Sequence, residues 1–110
     1  MSIVVLLKYT GKDGNAQRFA SEMEESGIAA SIRQEAGNLR YEYYVPVSDP
    51  ETVLLIDEWT DQQALDIHHA TPMMGQIMKL REKYDLHVRA ERLISDENGI
   101  PTRDRAFLKD

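Results

Sequence analysis

The spacing of apolar positions changes several times along the chain, and each change marks an element. Ile3 to Tyr9 is apolar at both parities, with Ile3, Val5 and Leu7 on one side and Val4 and Leu6 on the other. A strand with two apolar faces is covered on both. Lys12-Asp13-Gly14-Asn15 then reads as a turn and a helix start. Ala16, Phe19, Ala20 and Met23 recur at helical spacing, with Gln17, Arg18, Glu22 and Glu24 on the remaining faces. Gly27 ends or kinks this helix. Ile28, Ala29 and Ile32 begin a second stripe, which stops by Gly37.

From Leu39 to Val47 the period becomes two. Leu39, Tyr41, Tyr43, Val45 and Val47 share one face, while Arg40, Glu42 and Tyr44 share the other. Pro46 places the end of this strand at an edge or a bulge. After the turn Ser48-Asp49-Pro50-Glu51, Thr52 to Trp59 forms the partner strand, and its Val53-Leu54-Leu55-Ile56 run is again apolar on both faces. Thr60-Asp61-Gln62-Gln63 matches a capping box with Thr60 as the cap. The helix it opens runs to about Ala70. Thr71 as cap and Pro72 as first helical residue then restart it. Met73, Ile77, Leu80 and Tyr84 make the next stripe, with Met74 and Met78 beside it, and Leu86 to Ile94 is the last core strand. Asn98-Gly99 is a hairpin signal. Ile100 to Leu108 is expected either to fold back, on its own sheet or on a partner and anchored by Phe107 and Leu108, or to stay a frayed tail.

The predicted order β-α-(α)-β-β-α-β is the ferredoxin-like split βαβ pattern, an α+β fold with a four-stranded antiparallel sheet and helices on one face. Residues 1–94 make this domain, and residues 95–110 make a C-terminal hairpin or arm. The uncovered face should then be polar, yet the first and third strands are apolar on both faces. A homodimer that packs sheet on sheet resolves the conflict, giving a dimeric α+β barrel.

The chain has 110 residues and a net charge of −6, a single domain by length. The acidic balance argues against nucleic acid as a partner. Lys79-Leu80-Arg81-Glu82-Lys83 reads as a solvated helix end near the negative pole of its dipole. No cysteine is present, which excludes disulfides, thiolate metal sites and a Cys nucleophile and fits a cytoplasmic protein. The apolar run at the N-terminus is too short to span a membrane.

Chemistry has few carriers. Tyr41 and Tyr43 on one strand face can orient a polar aromatic ligand through their hydroxyls. Trp59, the only Trp, suits a core plug or an aromatic wall with an N–H donor. His68 shares a helix face with Ala64 and Leu65 and points inward. It is either a hydrogen-bonded structural residue or a general base. His69, about 100° away, is solvated. The adjacent pair has poor chelating geometry, so no metal is expected, and no Gly-rich phosphate loop or dinucleotide fingerprint is present to hold a cofactor. Met73, Met74 and Met78 form a soft apolar patch suited to core packing or to a pocket floor. Glu58 is expected to pair across strands with Arg40 or Arg89, and Asn38 to hold the turn before its strand.

Two stretches carry a resemblance. Glu35-Ala36-Gly37-Asn38-Leu39-Arg40-Tyr41 resembles the E-x-G-x-L-x-Y lead-in to the second strand of the antibiotic biosynthesis monooxygenase family. Glu58-Trp59 with Ala64-Leu65, His68 and Thr71-Pro72 is similar to that family's E-x-W…A-L-x-x-H…S/T-P segment. The likeness covers about Ile3 to Leu93. It implies a cofactor-independent monooxygenase that oxidises a quinol or other phenolic small molecule with O2. In that picture His68 is the base, Tyr41, Tyr43 and Trp59 shape and orient the substrate, and Met73 and Met74 contribute to the pocket. Many relatives have His where this chain has Met73. The haem-degrading branch has Trp in place of His68 and a haem-ligating His near Met78, which argues against haem degradation. The G-N-L-R-Y and H-x-x-T-P stretches equally resemble a quorum-signal isomerase acting on a phosphorylated sugar-like dione, for which Arg40 and Arg89 would have to face inward. A non-catalytic dimeric module that binds a small ligand is the third alternative.

Overall fold

The computed structural model describes residues 1–109. Its elements are β1 (Ile3–Thr10), α1 (Asn15–Glu25), α2 (Ile28–Arg33), β2 (Asn38–Tyr44), β3 (Thr52–Trp59), α3 (Gln62–His69), α4 (Met73–Lys83) and β4 (His87–Ile94), followed by a 3-10 helix at Thr102–Phe107. The strands form one antiparallel sheet in the order β2-β3-β1-β4. This is the expected ferredoxin-like arrangement, with the apolar-on-both-faces strands β1 and β3 in the middle.

Helices cover one face. Ile3 and Tyr9 of β1, Val53, Leu55 and Trp59 of β3, and Tyr41 of β2 meet Phe19, Met23, Ala29, Ile32, Leu65 and Ile77 in a single core. Tyr9 lies against Phe19 at 4.8 Å between ring centroids, and Phe19 and Tyr43 stand edge to face with centroids 6.2 Å apart. The other face carries Val4, Leu6, Leu54 and Ile56, all only partly covered, and the exposed Leu93.

Two glycines set the chain's course over this core. Gly27, at φ 85°, separates α1 from α2, a left-handed conformation that costs glycine little. Gly37, at φ 87°, brings the chain into β2. Its carbonyl accepts from the Thr60 backbone N–H at 2.9 Å, and a Cβ there would lie 2.5 Å from Ala64 Cβ. The absence of a side chain lets the head of β2 slide beneath α3.

The joints around α3 differ from the sequence expectation. The cap is Asp61, not Thr60. Asp61 has extended backbone, and its carboxylate accepts from the Ala64 N–H at 2.9 Å, while Thr60 is held at the strand end by Gly37. Thr71 does not cap α4. Its hydroxyl donates back to the His68 carbonyl at 2.8 Å, serving the end of α3, and Pro72 occupies the cap position of α4 without a side-chain bond. Glu58 does not pair with Arg40 or Arg89. It accepts from the Ser2 hydroxyl, whereas the Arg40 guanidinium turns to Tyr44 and Glu42 along its own strand. Beyond β4, Phe107 is 89% exposed.

Candidate functional site

The inward row of β3 begins apolar, with Val53 and Leu55, and then places Asp57 and Trp59. The two are neighbours on one strand face, and the indole N–H of Trp59 donates to Asp57 Oδ1 at 2.7 Å. Because Asp61 caps α3, Leu65 and His68 fall on the face that meets the sheet. The His68 imidazole stacks on Trp59 at 4.7 Å between centroids and 28° between planes. Glu35, in the loop between α2 and β2, closes the chain of contacts, its Oε2 lying 2.8 Å from His68 Nδ1. With Glu35 ionised, Nδ1 carries the proton and donates, which leaves Nε2 of the neutral ring as an acceptor. Glu35, His68, Trp59 and Asp57 thus form a continuous polar line through the centre of the layer. Trp59 is 0%, His68 3% and Asp57 5% exposed.

Phenols flank this line. Tyr41 stands directly opposite Asp57 across β2 and β3. Its hydroxyl is 3.3 Å from that of Tyr43, and the two rings meet edge to face. Burial pushes both hydroxyls to titrate above the ordinary tyrosine range, and does the same to Tyr9. Burial also raises Asp57 to about 6, opposed by the hydrogen bond from Trp59 and by the electrostatic influence of His68, and reinforced by Glu35. A lone carboxylate in an apolar row is costly to ionise.

Arg81 corrects the reading of Lys79 to Lys83 as a solvated helix end. Lys79 and Glu82 are exposed and Lys83 reaches across to Glu22 at 2.8 Å, but Arg81 turns inward. Its Nη2 donates to the Tyr9 hydroxyl at 3.0 Å, and its guanidinium carbon lies 5.3 Å from the centre of that ring. Arg81 Nε is the one fully buried side-chain nitrogen or oxygen without a partner among the described residues. A long stem lets a charged head cross from a helix flank to the core edge.

The residues singled out in the sequence separate clearly. His68 stacks on Trp59, and Tyr41 meets Tyr43, as two pairs on the helix side of the sheet, and Met73 and Met74 pack half-buried against the same core. The indole N–H of Trp59 is committed to Asp57. His69 is exposed, and partial burial lowers its pKa. Arg40 lies opposite Glu58 and Arg89 opposite Lys8, on the bare side of the sheet. Asn38 does hold its strand start, donating to the Glu58 carbonyl at 3.3 Å beside the irregular register. Asp57, Glu35, Tyr9 and Arg81 are chemical groups of this layer that the sequence pattern does not single out. A signal existed for Asp57, which shares the parity of Trp59. No helix is long and apolar enough to cross a membrane, and no group of three His, Asp or Glu could hold a metal ion, among the described residues.

The family model described as antibiotic biosynthesis monooxygenase matches residues 2–80. No curated protein matches the chain significantly in sequence. Among solved structures, a candidate antibiotic biosynthesis monooxygenase of Deinococcus radiodurans superposes with a TM-score of 0.76 at 20% identity, over 86% of this chain and 93% of the other. A protein of Pseudomonas aeruginosa gives 0.73 at 24% identity, over 86% and 93%. SnoaB, a cofactor-independent oxygenase of Streptomyces nogalater, gives 0.72 at 16% identity, over 87% and 94%. At these identities the likeness is one of fold.

Proposed function

The chain belongs to the antibiotic biosynthesis monooxygenase family, and from that premise we propose that it is a cofactor-independent monooxygenase acting on a quinol or phenolic small molecule with O2. The observation that carries this reading is the part-buried Glu35–His68 pair stacked on Trp59, on the same side of the sheet as the Tyr41 and Tyr43 hydroxyls. Such a substrate supplies its own electrons. Removal of a hydroxyl proton makes an electron-rich anion, which reduces O2. One oxygen atom joins the ring and the other leaves as water, so that a 1,4-naphthohydroquinone becomes a hydroxynaphthoquinone.

Each side chain has a part in that scheme. Glu35 fixes the ring of His68, and Nε2 accepts the proton. Tyr41 and Tyr43 orient the substrate oxygen, the Trp59 ring backs the site, and Met73 and Met74 supply apolar surface. The dry interior strengthens every one of these polar contacts. With Trp59 and His68 covered, a planar ligand reaches them only when the α3–α4 layer shifts. The isomerase alternative is weakened, because Arg40 and Arg89 lie on the opposite side of the sheet.

Oxygen uptake by metal-free protein with 1,4-naphthohydroquinone and a chelator tests the reading. Consumption of one O2 per quinol, well above the rate in buffer and reduced on the order of 100-fold in His68→Ala, is expected. Uptake no faster than in buffer would sink it, and conversion of a phosphorylated dione without oxygen consumption would establish the isomerase instead.

The bare sheet face supports a homodimer. Val4, Leu6, Leu54, Ile56 and Leu93 there are apolar and incompletely covered, a patch that a second sheet would bury. In this reading the arm over residues 95–109, where Phe107 and Leu108 are exposed, contacts the partner. Sedimentation velocity at micromolar concentration should show a dimer, and a stable monomer would remove the assembly.

A further inference from the structure

Asp57 is the least expected residue of the inward face. Its neighbours along β3 are Val53, Leu55 and Trp59, and it occupies a place where an aliphatic side chain would cost nothing. No Lys or Arg pairs with it within 4.0 Å among the described residues. Structural carboxylates at such depth are ordinarily paired.

Its two oxygens have different surroundings. Oδ1 accepts from Trp59 at 2.7 Å. Oδ2 has no donor among the described residues, and it is not among the fully buried unpartnered atoms, so it keeps a small opening to solvent inside an otherwise closed side chain. His68 Nε2 is in the same condition. The sheet register places Tyr41 beside Asp57 on β2, and Val5 and then Arg92 beyond it on β1 and β4. The charged or titratable groups facing this point are therefore Tyr41 and Tyr43 from β2, Tyr9 from β1 and Arg92 from β4. His68 faces it from α3, Glu35 from the loop before β2 and Arg81 from α4.

We propose that Asp57 is a second proton acceptor of this site, taking on Oδ2 the hydroxyl proton of a bound phenol or quinol. The inference rests on the oxygenase reading for its substrate class and assigns a group that reading does not use. In the step the substrate O–H bond breaks and an Oδ2–H bond forms. The electron pair stays on the substrate oxygen and passes onward to O2, and the proton returns to the oxygen atom that leaves as water. Loss of two hydroxyl protons accompanies full oxidation of a quinol, and His68 and Asp57 together accept two. The Trp59 N–H steadies the carboxylate without neutralising it. Its raised titration, at about 6, makes it a stronger base than an exposed aspartate while leaving it ionised near neutrality.

The test compares Asp57→Asn, Asp57→Glu and His68→Gln with the wild-type chain. Asparagine keeps the shape and the acceptor for Trp59. With 1,4-naphthohydroquinone, wild-type kcat/KM should fall as pH drops through about 6. Asp57→Asn should lose on the order of 100-fold together with that acid limb, and Asp57→Glu should restore part of the rate. The second readout needs no turnover. 4-Fluorophenol is neutral across this pH range, like other phenols, and its fluorine resonance follows binding. Its affinity should rise severalfold through the same pH window in the wild type and stay flat in Asp57→Asn. An acid limb that persists unchanged in Asp57→Asn, a kcat/KM within threefold of wild type, or the same pH dependence of 4-fluorophenol affinity in both proteins would overturn the inference. Should the wild type consume no oxygen, the oxygenase reading fails by itself and the 4-fluorophenol comparison alone decides the role of Asp57. Absence of binding at millimolar 4-fluorophenol also overturns it.

Discussion

Replacing Trp59 with alanine is expected to destabilise the fold by about 3–5 kcal/mol, the range for deleting a large buried aromatic. The indole is fully covered at the corner where β3 hands over to α3. Its removal opens a cavity under His68, takes away the stacking surface of the imidazole and strips Asp57 Oδ1 of its donor. Trp59→Phe separates these effects. Phenylalanine retains most of the ring volume and loses the N–H, so its cost should fall nearer the about 1–3 kcal/mol of a buried acceptor left unpaired. Urea unfolding of the three proteins checks the order. Equal stability of Trp59→Ala and wild type would mean that the corner is not packed as described.

Asp57→Asn should move stability the other way. The carboxyl titrates at about 6 in the folded chain and near 3.8 in the unfolded one. Between those values the folded state holds the extra proton, so stability falls as pH rises through the window, and above it the full penalty of burying the charge is present. That penalty is about 3 kcal/mol. The asparagine amide must find its own acceptor, so the expected gain near neutral pH is about 1–3 kcal/mol. The gain shrinks as pH falls through the window and vanishes below about 4, where both chains carry a neutral group. Unfolding midpoints at neutral and acid pH measure this directly, and a variant less stable than wild type near neutrality would contradict the placement of an ionised Asp57 in an apolar row.

Much of this architecture is legible in the chain's periodicities, because burial enforces them. The two-sided apolar runs in β1 and β3 require the middle of a sheet, and the parity of Tyr41 and Tyr43 sets their face. The turn from Ala64 and Leu65 to His68 aims the imidazole inward. What escaped depends on geometry that periodicity does not encode. Thr60 and Asp61 are both competent caps, and only the extended backbone of Asp61 together with the tie between Thr60 and Gly37 decides between them. Arg81 counts as surface charge until its stem is seen crossing to Tyr9. Glu35 and His68 are 33 positions apart, and their meeting depends on the way the loop after α2 lies along α3. Asp57 was in reach, since one step of alternation from Trp59 places it indoors.

The position of β1 also governs the order in which the chain can be assembled. The first of the four strands to be synthesised sits inside the sheet, and one of its two flanking partners, β4, is the last of the four. Backbone bonding between Ser2 and Ser95 ties the outermost turns of this pair together. Until residues 87–94 emerge, one apolar border of β1 has its peptide groups unsatisfied and open to any other strand. The closing contacts span nearly the whole chain, the kind that form slowly. A nascent or truncated chain lacking β4 therefore carries every residue of the Glu35–His68–Trp59–Asp57 line and yet presents a sticky, unfinished sheet. For this molecule, completion of the last strand rather than of the site separates a folded protein from an aggregating one.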